Sequence, residues 1–506
     1  MARTTLLAID VGTTACKAAL VDTEGTVVAV GQAEYPTHHP RPLWAEQDPE
    51  DWWQAAIAAT RAALEAAEAS TPEVAAIALS SQRETVALTD RDGRPLARAI
   101  SWMDRRGAEE IGALVRRWGA EAIHRATGMV PDATFTLAKL LWLKRHEPAL
   151  LARTRWLLQP RDFVAHRLTG RFVTDPSLAS RTMMWEMERG RWWAPAFDEI
   201  GIDPERFPPV TPSHAVVGGL SPEAGRALGL RAGVPVVTGG GDRCCEALGV
   251  GLVAGEAMES TGTTSNLSTV ASSLPAQRDP RLTYTAHVLP GQWLAEQGLN
   301  ATGAILRWLR ALAYAEEHRR AREAGEDVYR LMGEEAARVP AGAEGLVMLP
   351  YFMGARAPRW QPLARGALVG LTLEHGRAHL VRAALESVAY ELRACRTVLE
   401  EAGLSPTTVV AMGGGARSRL WLEIKAAVMG MPVRTPRVGL AASLGAAVLA
   451  GWGIGLFSEP VATARRFNPG AFTVTPEPAL RATYEALARR YERLVRRMLA
   501  LYEEIE

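Results

Sequence analysis

Cysteine is scarce in this chain: there are four in 506 residues, and two of them are the adjacent Cys244 and Cys245. That excludes a disulfide framework, because neighbouring cysteines bridge poorly, and the spacing matches no zinc site. Cys16 and Cys395 read as core positions, and a reducing cytoplasm is the expected compartment. Long apolar runs are also missing. None approaches the roughly 20 residues that span a bilayer, and Met1-Ala2-Arg3-Thr4-Thr5 leads into a strand pattern without the features of a signal peptide, so no membrane partner is expected. Net charge is nearly absent: 57 Lys plus Arg against 56 Asp plus Glu leaves +1. Such a balance supplies no long-range field for nucleic acid. Lysine is confined to Lys17, Lys139, Lys144 and Lys425, and arginine carries the positive charge. Finally, no Gly-x-x-x-x-Gly-Lys-Ser/Thr occurs, which rules out a Walker loop.

What remains is the composition of a globular protein, 48% hydrophobic and 22% charged, long enough for two domains. Leu6–Ile9, Lys17–Val21 and Thr26–Val30 follow one another at hairpin spacing. Asp48-Pro49-Glu50-Asp51 caps a helix predicted to run through Ala69. Val74–Leu79 and a hairpin turning at Asp90-Arg91-Asp92-Gly93 add strands, and helical patterns dominate from Glu109 to about Leu168. Val234–Thr238 is an apolar strand ending in Gly239-Gly240-Gly241-Asp242. A second region opens near Gly255, and its strand Met258–Thr261 runs into Gly262-Thr263-Thr264. A further strand, Val409–Met412, leads into Gly413-Gly414-Gly415, and Pro478–Glu506 reads as an amphipathic helix. Gly-Thr-Thr turns at strand ends therefore occur twice, about half the chain apart, as two related α/β domains would produce.

The first turn, Asp10-Val11-Gly12-Thr13-Thr14, suits a phosphate. Gly12 lets the backbone approach a ligand, Thr13 and Thr14 offer amides and hydroxyls, and Asp10 at the strand end is placed for Mg²⁺ through its water shell. A tight turn with a structural aspartate explains the same residues. Gly262-Thr263-Thr264 tips the balance as a second grip on the same nucleotide, and Gly413-Gly414-Gly415 before a helix permits stacking of a nucleotide base or close approach of a ribose. Asp242 is either a general base or a helix cap. Arg83 and Glu84 are either a pair that hydrogen-bonds a polyhydroxy ligand or a solvated surface pair, and Trp102 either packs on that ligand or is core.

Together these stretches resemble the FGGY carbohydrate kinases, in family order along nearly the whole chain. Trp44-Ala45-Glu46-Gln47-Asp48-Pro49 and Ser101-Trp102-Met103-Asp104-Arg105-Arg106 belong to the match. Gly366–Glu386 fits the C-terminal signature of the family throughout, and Thr134–His146 fits the N-terminal one except at Thr134. The resemblance implies two actin-like, ribonuclease H-type α/β domains, 1–250 and 251–506, with an interdomain cleft. It further implies an ATP-dependent kinase acting on a small sugar or polyol, with Asp242 as base and Arg83, Glu84, Trp102 and Asp242 on the substrate. Asp10 would serve Mg²⁺. Thr13, Thr14, Gly262, Thr263, Thr264, Gly303, Gly414, Gly415 and Ser418 would serve ATP. A homodimer is the family-based expectation for assembly.

Substrate signals diverge. Gln82-Arg83-Glu84-Thr85 is similar to glycerol-specific members, whereas Trp44–Trp53 is similar to xylulose-specific ones. Thr134 replaces a substrate-contacting tyrosine, and Arg243-Cys244-Cys245 replaces a glutamine-rich stretch, which changes pocket volume and polarity. A ketopentose such as xylulose is therefore the favoured acceptor, with glycerol as the alternative. An actin-like ATPase without sugar kinase activity is the reading from a different class.

Overall fold

The apolar run Leu6–Ile9 becomes the buried middle of a strand, as expected for a sequence without polar alternation. The computed structural model describes residues 4–67 and 73–504. It separates into two compact units, and they are not consecutive halves of the chain. Unit one comprises Met1–Leu252, Ser272–Leu294 and Leu440–Pro469; unit two comprises Val253–Ala271, Ala295–Gly439 and Gly470–Glu506.

The first unit is built on a six-stranded sheet. Its strands are β1 (Thr4–Val11), β2 (Ala15–Asp22), β3 (Val27–Glu34), β4 (Glu73–Ser81), β5 (Val216–Gly219) and β6 (Pro235–Gly241), in the order β5-β6-β4-β1-β2-β3. The hairpins β1–β2 and β2–β3 are antiparallel, while β1, β4 and β6 run parallel. Register matters here, because Asp10 pairs with Ser80 and Ser80 pairs with Gly240. One row across the sheet therefore brings Asp10 and the strand leading to Asp242 to the same carboxyl-terminal edge, where open α/β sheets bind ligands.

A helix, Pro49–Ala66, begins at Asp48, whose side chain accepts from the Glu50 amide. Its predicted extension to Ala69 reaches residues outside the described ones, as do Met1-Ala2-Arg3 and the last two residues of the predicted C-terminal helix, observed over Pro478–Glu504. Trp52 on this helix is fully buried against Phe163, and the core continues through Leu7, Ile9 and Val11. A second buried cluster, containing Ile111, Phe135, Leu140 and Phe197, supports the helix Thr136–His146, which carries Lys139 and follows the turn holding Thr134.

Helix Ala441–Gly453 comes from late in the chain but lies on the first unit, against β1, β4 and the helix Asp242–Gly249. The two helices meet backbone to backbone. A Cβ on Gly249 would sit 1.9 Å from the Ala441 carbonyl, and one on Gly445 would sit 1.9 Å from that of Cys245. Only glycine permits this approach, and the helix it seats is the one that opens with Asp242. Gly445→Val must therefore push the helices apart. We expect a loss of at least ~1–3 kcal/mol, the usual cost of overpacking, read as a lower urea midpoint. An unchanged midpoint would mean the helices are not in register as described.

Candidate active site

Asp242 is the first residue of the helix Asp242–Gly249, immediately after β6. Its Oδ1 accepts from the Arg243 amide at 2.7 Å and lies 3.2 Å from Arg83 Nε. Both donors converge on one oxygen, and the side chain remains 33% exposed whereas Arg83 is only 8% exposed. The carboxylate is thus oriented by its neighbours while still open to a ligand. Gly241 makes room for this: a Cβ there would approach Arg83 Cδ to 2.7 Å. The Gly241 amide donates to Ser177 Oγ at 2.8 Å, and Ser177 Oγ in turn donates to Asp175 at 2.6 Å. Asp175 is held from its other oxygen by buried Arg161 at 2.9 Å.

The solvated reading of Arg83 and Glu84 does not hold, since both are buried. Each nonetheless has its own partner: Arg83 faces Asp242, and the Glu84 carboxylate is ion-paired with buried Arg181. Glu84 also adopts a left-handed backbone at φ 62°, a costly state that persists only where surroundings enforce it. Three side chains do so here. Gln159 Oε1 accepts from the Glu84 amide at 3.1 Å, while Lys139 Nζ and Thr136 Oγ1 donate to its carbonyl at 3.0 and 3.3 Å. Burial pulls the Lys139 amine down to about 7.

Trp102 is half-buried, and its indole N–H donates to Thr13 Oγ1 at 3.0 Å. Gln47 completes a ring around it. Gln47 Nε2 donates to the Thr13 carbonyl at 2.7 Å, and its Oε1 accepts from Gln82 and Trp52 at 2.7 and 3.1 Å. Gln82 Oε1 accepts from Thr85, whose hydroxyl accepts from the Trp102 amide. The Gly12–Thr14 turn and the Arg83–Glu84 loop are therefore parts of one hydrogen-bonded body, with Thr14 exposed at its tip. Thr134 is buried and donates to the Asp132 carboxylate. Cys244, expected to alter the pocket, is fully buried with its thiol 3.4 Å from the Ala286 carbonyl.

Asp10 Oδ1 is buried without a hydrogen-bond partner. Burial, reinforced by the charge of Asp242, raises the Asp10 carboxyl to about 6. Burial likewise raises Glu246, with Arg243 pairing against it at 2.6 Å. Among the described residues no group of three or more His, Cys, Asp and Glu side chains has metal-binding geometry.

The second unit gathers the remaining candidates on its own sheet. Strands β7 (Glu256–Thr261), β8 (Ser265–Ala271), β9 (Trp293–Leu299, in this unit from Ala295), β10 (Thr408–Gly413), β11 (Val433–Pro436) and β12 (Gly470–Val474) lie in the order β9-β8-β7-β10-β11-β12. The Gly262-Thr263-Thr264 turn joins β7 to β8, and parallel pairing sets Thr261 beside Gly413. Gly303 donates from its amide to the Gly262 carbonyl at 3.1 Å, and a Cβ on it would lie 2.2 Å from that oxygen. Gly415 packs on Thr261, where a Cβ would meet the threonine side chain at 2.7 Å. Gly262, Thr263 and Gly414 stay exposed. Ser418 caps the helix Arg419–Met429, its hydroxyl accepting from the Trp421 amide at 3.3 Å. Thr263 Oγ1 accepts from Arg307 at 2.8 Å.

Comparison with known proteins places the chain among carbohydrate kinases. Residues 5–249 match the model of the N-terminal domain of the FGGY family of carbohydrate kinases, and residues 257–454 match its C-terminal domain. The chain is 33% identical to a xylulose kinase of Escherichia coli over 446 residues, 88% of this chain and 89% of that protein. It is 35% identical to a glycerol kinase of Thermococcus gammatolerans over 457 residues, 88% of each. The crystal structure of xylulose kinase from Rhodospirillum rubrum superposes with a TM-score of 0.89 at 33% identity, covering 99% of this chain and 100% of that one.

The Asp10 environment makes a prediction that needs no ligand. Folding raises the Asp10 pKa from 3.8 to about 6, so the folded protein holds an extra proton between those values. Stability is therefore lost as pH rises towards 6 and stays reduced above it. Asp10→Asn removes that cost. The variant should unfold at a higher urea midpoint than wild type at pH 7.5, by about 1–2 kcal/mol after allowing for partial exposure of the residue. The gap should close towards pH 4; a gap independent of pH would contradict the account.

Proposed function

Because this chain belongs to the FGGY family of carbohydrate kinases, and is therefore itself a carbohydrate kinase, we propose that it moves the γ-phosphoryl group of ATP to a terminal hydroxyl of a ketopentose such as xylulose. The observation that carries the reading is the carboxylate of Asp242, held through one oxygen by Arg83 and the Arg243 amide and still partly open. Asp242 takes the hydroxyl proton as that oxygen attacks the γ-phosphorus; the bond to the β–γ bridging oxygen breaks and ADP departs. In such transfers the protein mainly positions the reactants and offsets charge.

Arg83 and Glu84 supply donors and acceptors for the hydroxyls of the sugar, and Trp102 offers an apolar face. The second unit contributes the Gly262-Thr263-Thr264 turn to the phosphates and the Gly413–Gly415 turn to the adenosine. The orphaned oxygen of Asp10 fits a hydrated Mg²⁺. When bound there, the ion would offset charge on the phosphates. Excluding water from the reacting groups keeps hydrolysis from competing.

For the acceptor, relatives named for xylulose and for glycerol are about equally similar, so overall identity does not choose between them. The local argument is Thr134, a small side chain whose hydroxyl is already engaged by Asp132. It leaves more volume than a phenol would, which favours an acceptor larger than glycerol.

A kinase panel of xylulose, ribulose, erythritol, gluconate and glycerol tests this. Xylulose should give the highest kcat/KM, with glycerol at least ~10-fold lower, the scale of a mismatched pocket; a preference for glycerol refutes the ketopentose assignment. In the same assay Asp242→Asn should lower kcat by ~10²- to 10⁴-fold, as loss of a general base does. ATP turnover indifferent both to sugar and to that substitution would instead support an actin-like ATPase.

A further inference from the structure

Beneath the Gly262–Thr264 turn lies a charged pair that no substrate can touch. Lys425, on the helix Arg419–Met429, and Glu259, on β7, are both wholly inaccessible to solvent, with Nζ and Oε2 2.7 Å apart. Removing two charges from water costs several kcal/mol each, and apolar residues of like volume often serve stability as well or better. Its geometry provides a different rationale. Lys425 Nζ also donates to Thr261 Oγ1 at 3.1 Å, and Thr261 donates to the other oxygen of Glu259. Thr261 and Ser265 share a hydrogen bond of 2.8 Å across the base of the turn, and Ser265 and Thr302 share one of 3.1 Å. The Lys425 ammonium lies 4.5 Å from the centre of the Trp421 ring, whose N–H is anchored on the Leu385 carbonyl.

Thr261 is thus the point where three loops meet. It precedes Gly262, it packs on Gly415, and through Ser265 it reaches Thr302, the residue before Gly303. The amides of Thr302 and Ala304 both donate to the Thr263 carbonyl, at 3.2 Å each. The first amides of the helix Gly303–Ala313 are therefore spent on holding the turn.

We propose that Lys425 is a positioning residue for the nucleotide: with Glu259 it locks Thr261, and through Thr261 sets the Gly262–Thr264 turn, the Gly413–Gly415 turn and the start of the helix Gly303–Ala313 relative to one another. This rests on the reading of those turns as the ATP site. Lys425 touches no ligand, and its influence falls on ATP alone because Asp242, Arg83, Glu84 and Trp102 belong to the other unit.

The test uses the paired variant Glu259→Gln with Lys425→Met, which leaves no buried unpaired charge, beside Thr264→Ala. Steady-state constants for ATP and for the best sugar are measured together with the urea midpoint. The paired variant should stay folded with a midpoint near wild type and a KM for ATP raised on the order of tenfold to a hundredfold, the effect of small misplacements. Its KM for sugar should remain within about twofold of wild type. If Thr264→Ala impairs ATP use while the paired variant leaves KM for ATP unchanged, positioning by Lys425 is refuted and the ATP reading stands. If Thr264→Ala leaves ATP use untouched, the underlying reading fails and the proposal with it. A parallel loss in both KM values and in the midpoint marks a purely structural pair and also refutes the proposal.

Discussion

The contact between Arg83 and Asp242 is the constraint around which the first unit is organised. In the proposed mechanism, a carboxylate that takes a proton from an alcohol has to be aimed, yet not so enclosed that substrate cannot reach it. Two donors on one oxygen satisfy the first need, and a third of the side chain left exposed satisfies the second. Each element nearby serves one end of that contact. The row Asp10–Ser80–Gly240 delivers β6 to the correct edge, and the Asp175–Ser177 relay fixes the Gly241 amide. The glycine-on-backbone contact with the helix Ala441–Gly453 seats the helix that Asp242 opens. On the Arg83 side, the strained peptide of Glu84 is clamped by Gln159, Thr136 and Lys139.

The second unit solves a different problem by a similar means. Its glycine-rich turns are largely backbone, with glycines where side chains would collide, and such turns have little intrinsic stiffness. Rigidity comes from below, from buried Lys425, Glu259 and Thr261. In both units a buried charged network places a backbone segment that has no means of placing itself. Low dielectric strengthens such networks when every member is satisfied.

Local signals in the sequence were readable because their physics is local. A strand running into Gly-Thr-Thr is a short-range turn signal, and both such turns sit at strand ends in the structure. The capped helix at Asp48 and the β1–β2–β3 hairpins follow from short-range turn and cap chemistry. Partnerships across long separations were not readable. Arg181 lies 97 residues from Glu84, and Lys425 lies 166 from Glu259; nothing in their neighbourhoods marks them. The adjacency of Arg83 and Glu84 likewise gave no sign that these neighbours in sequence pair with different residues. Nor did any pattern show that residues 440–469 return to the first unit, since backbone contact between glycines leaves no hydrophobic period to detect.

The central claim is that Asp242 receives the proton of the sugar while the residues of the two Gly-Thr-Thr turns hold the phosphates. The most direct measurement is a crystal structure of the wild-type protein with xylulose and a non-transferable ATP analogue. The account predicts the terminal hydroxyl about 3 Å from the Asp242 carboxylate, within reach for proton transfer, and the γ-phosphate against Thr14 and Thr264. A sugar bound away from Asp242, or a triphosphate bound away from both turns, would contradict it.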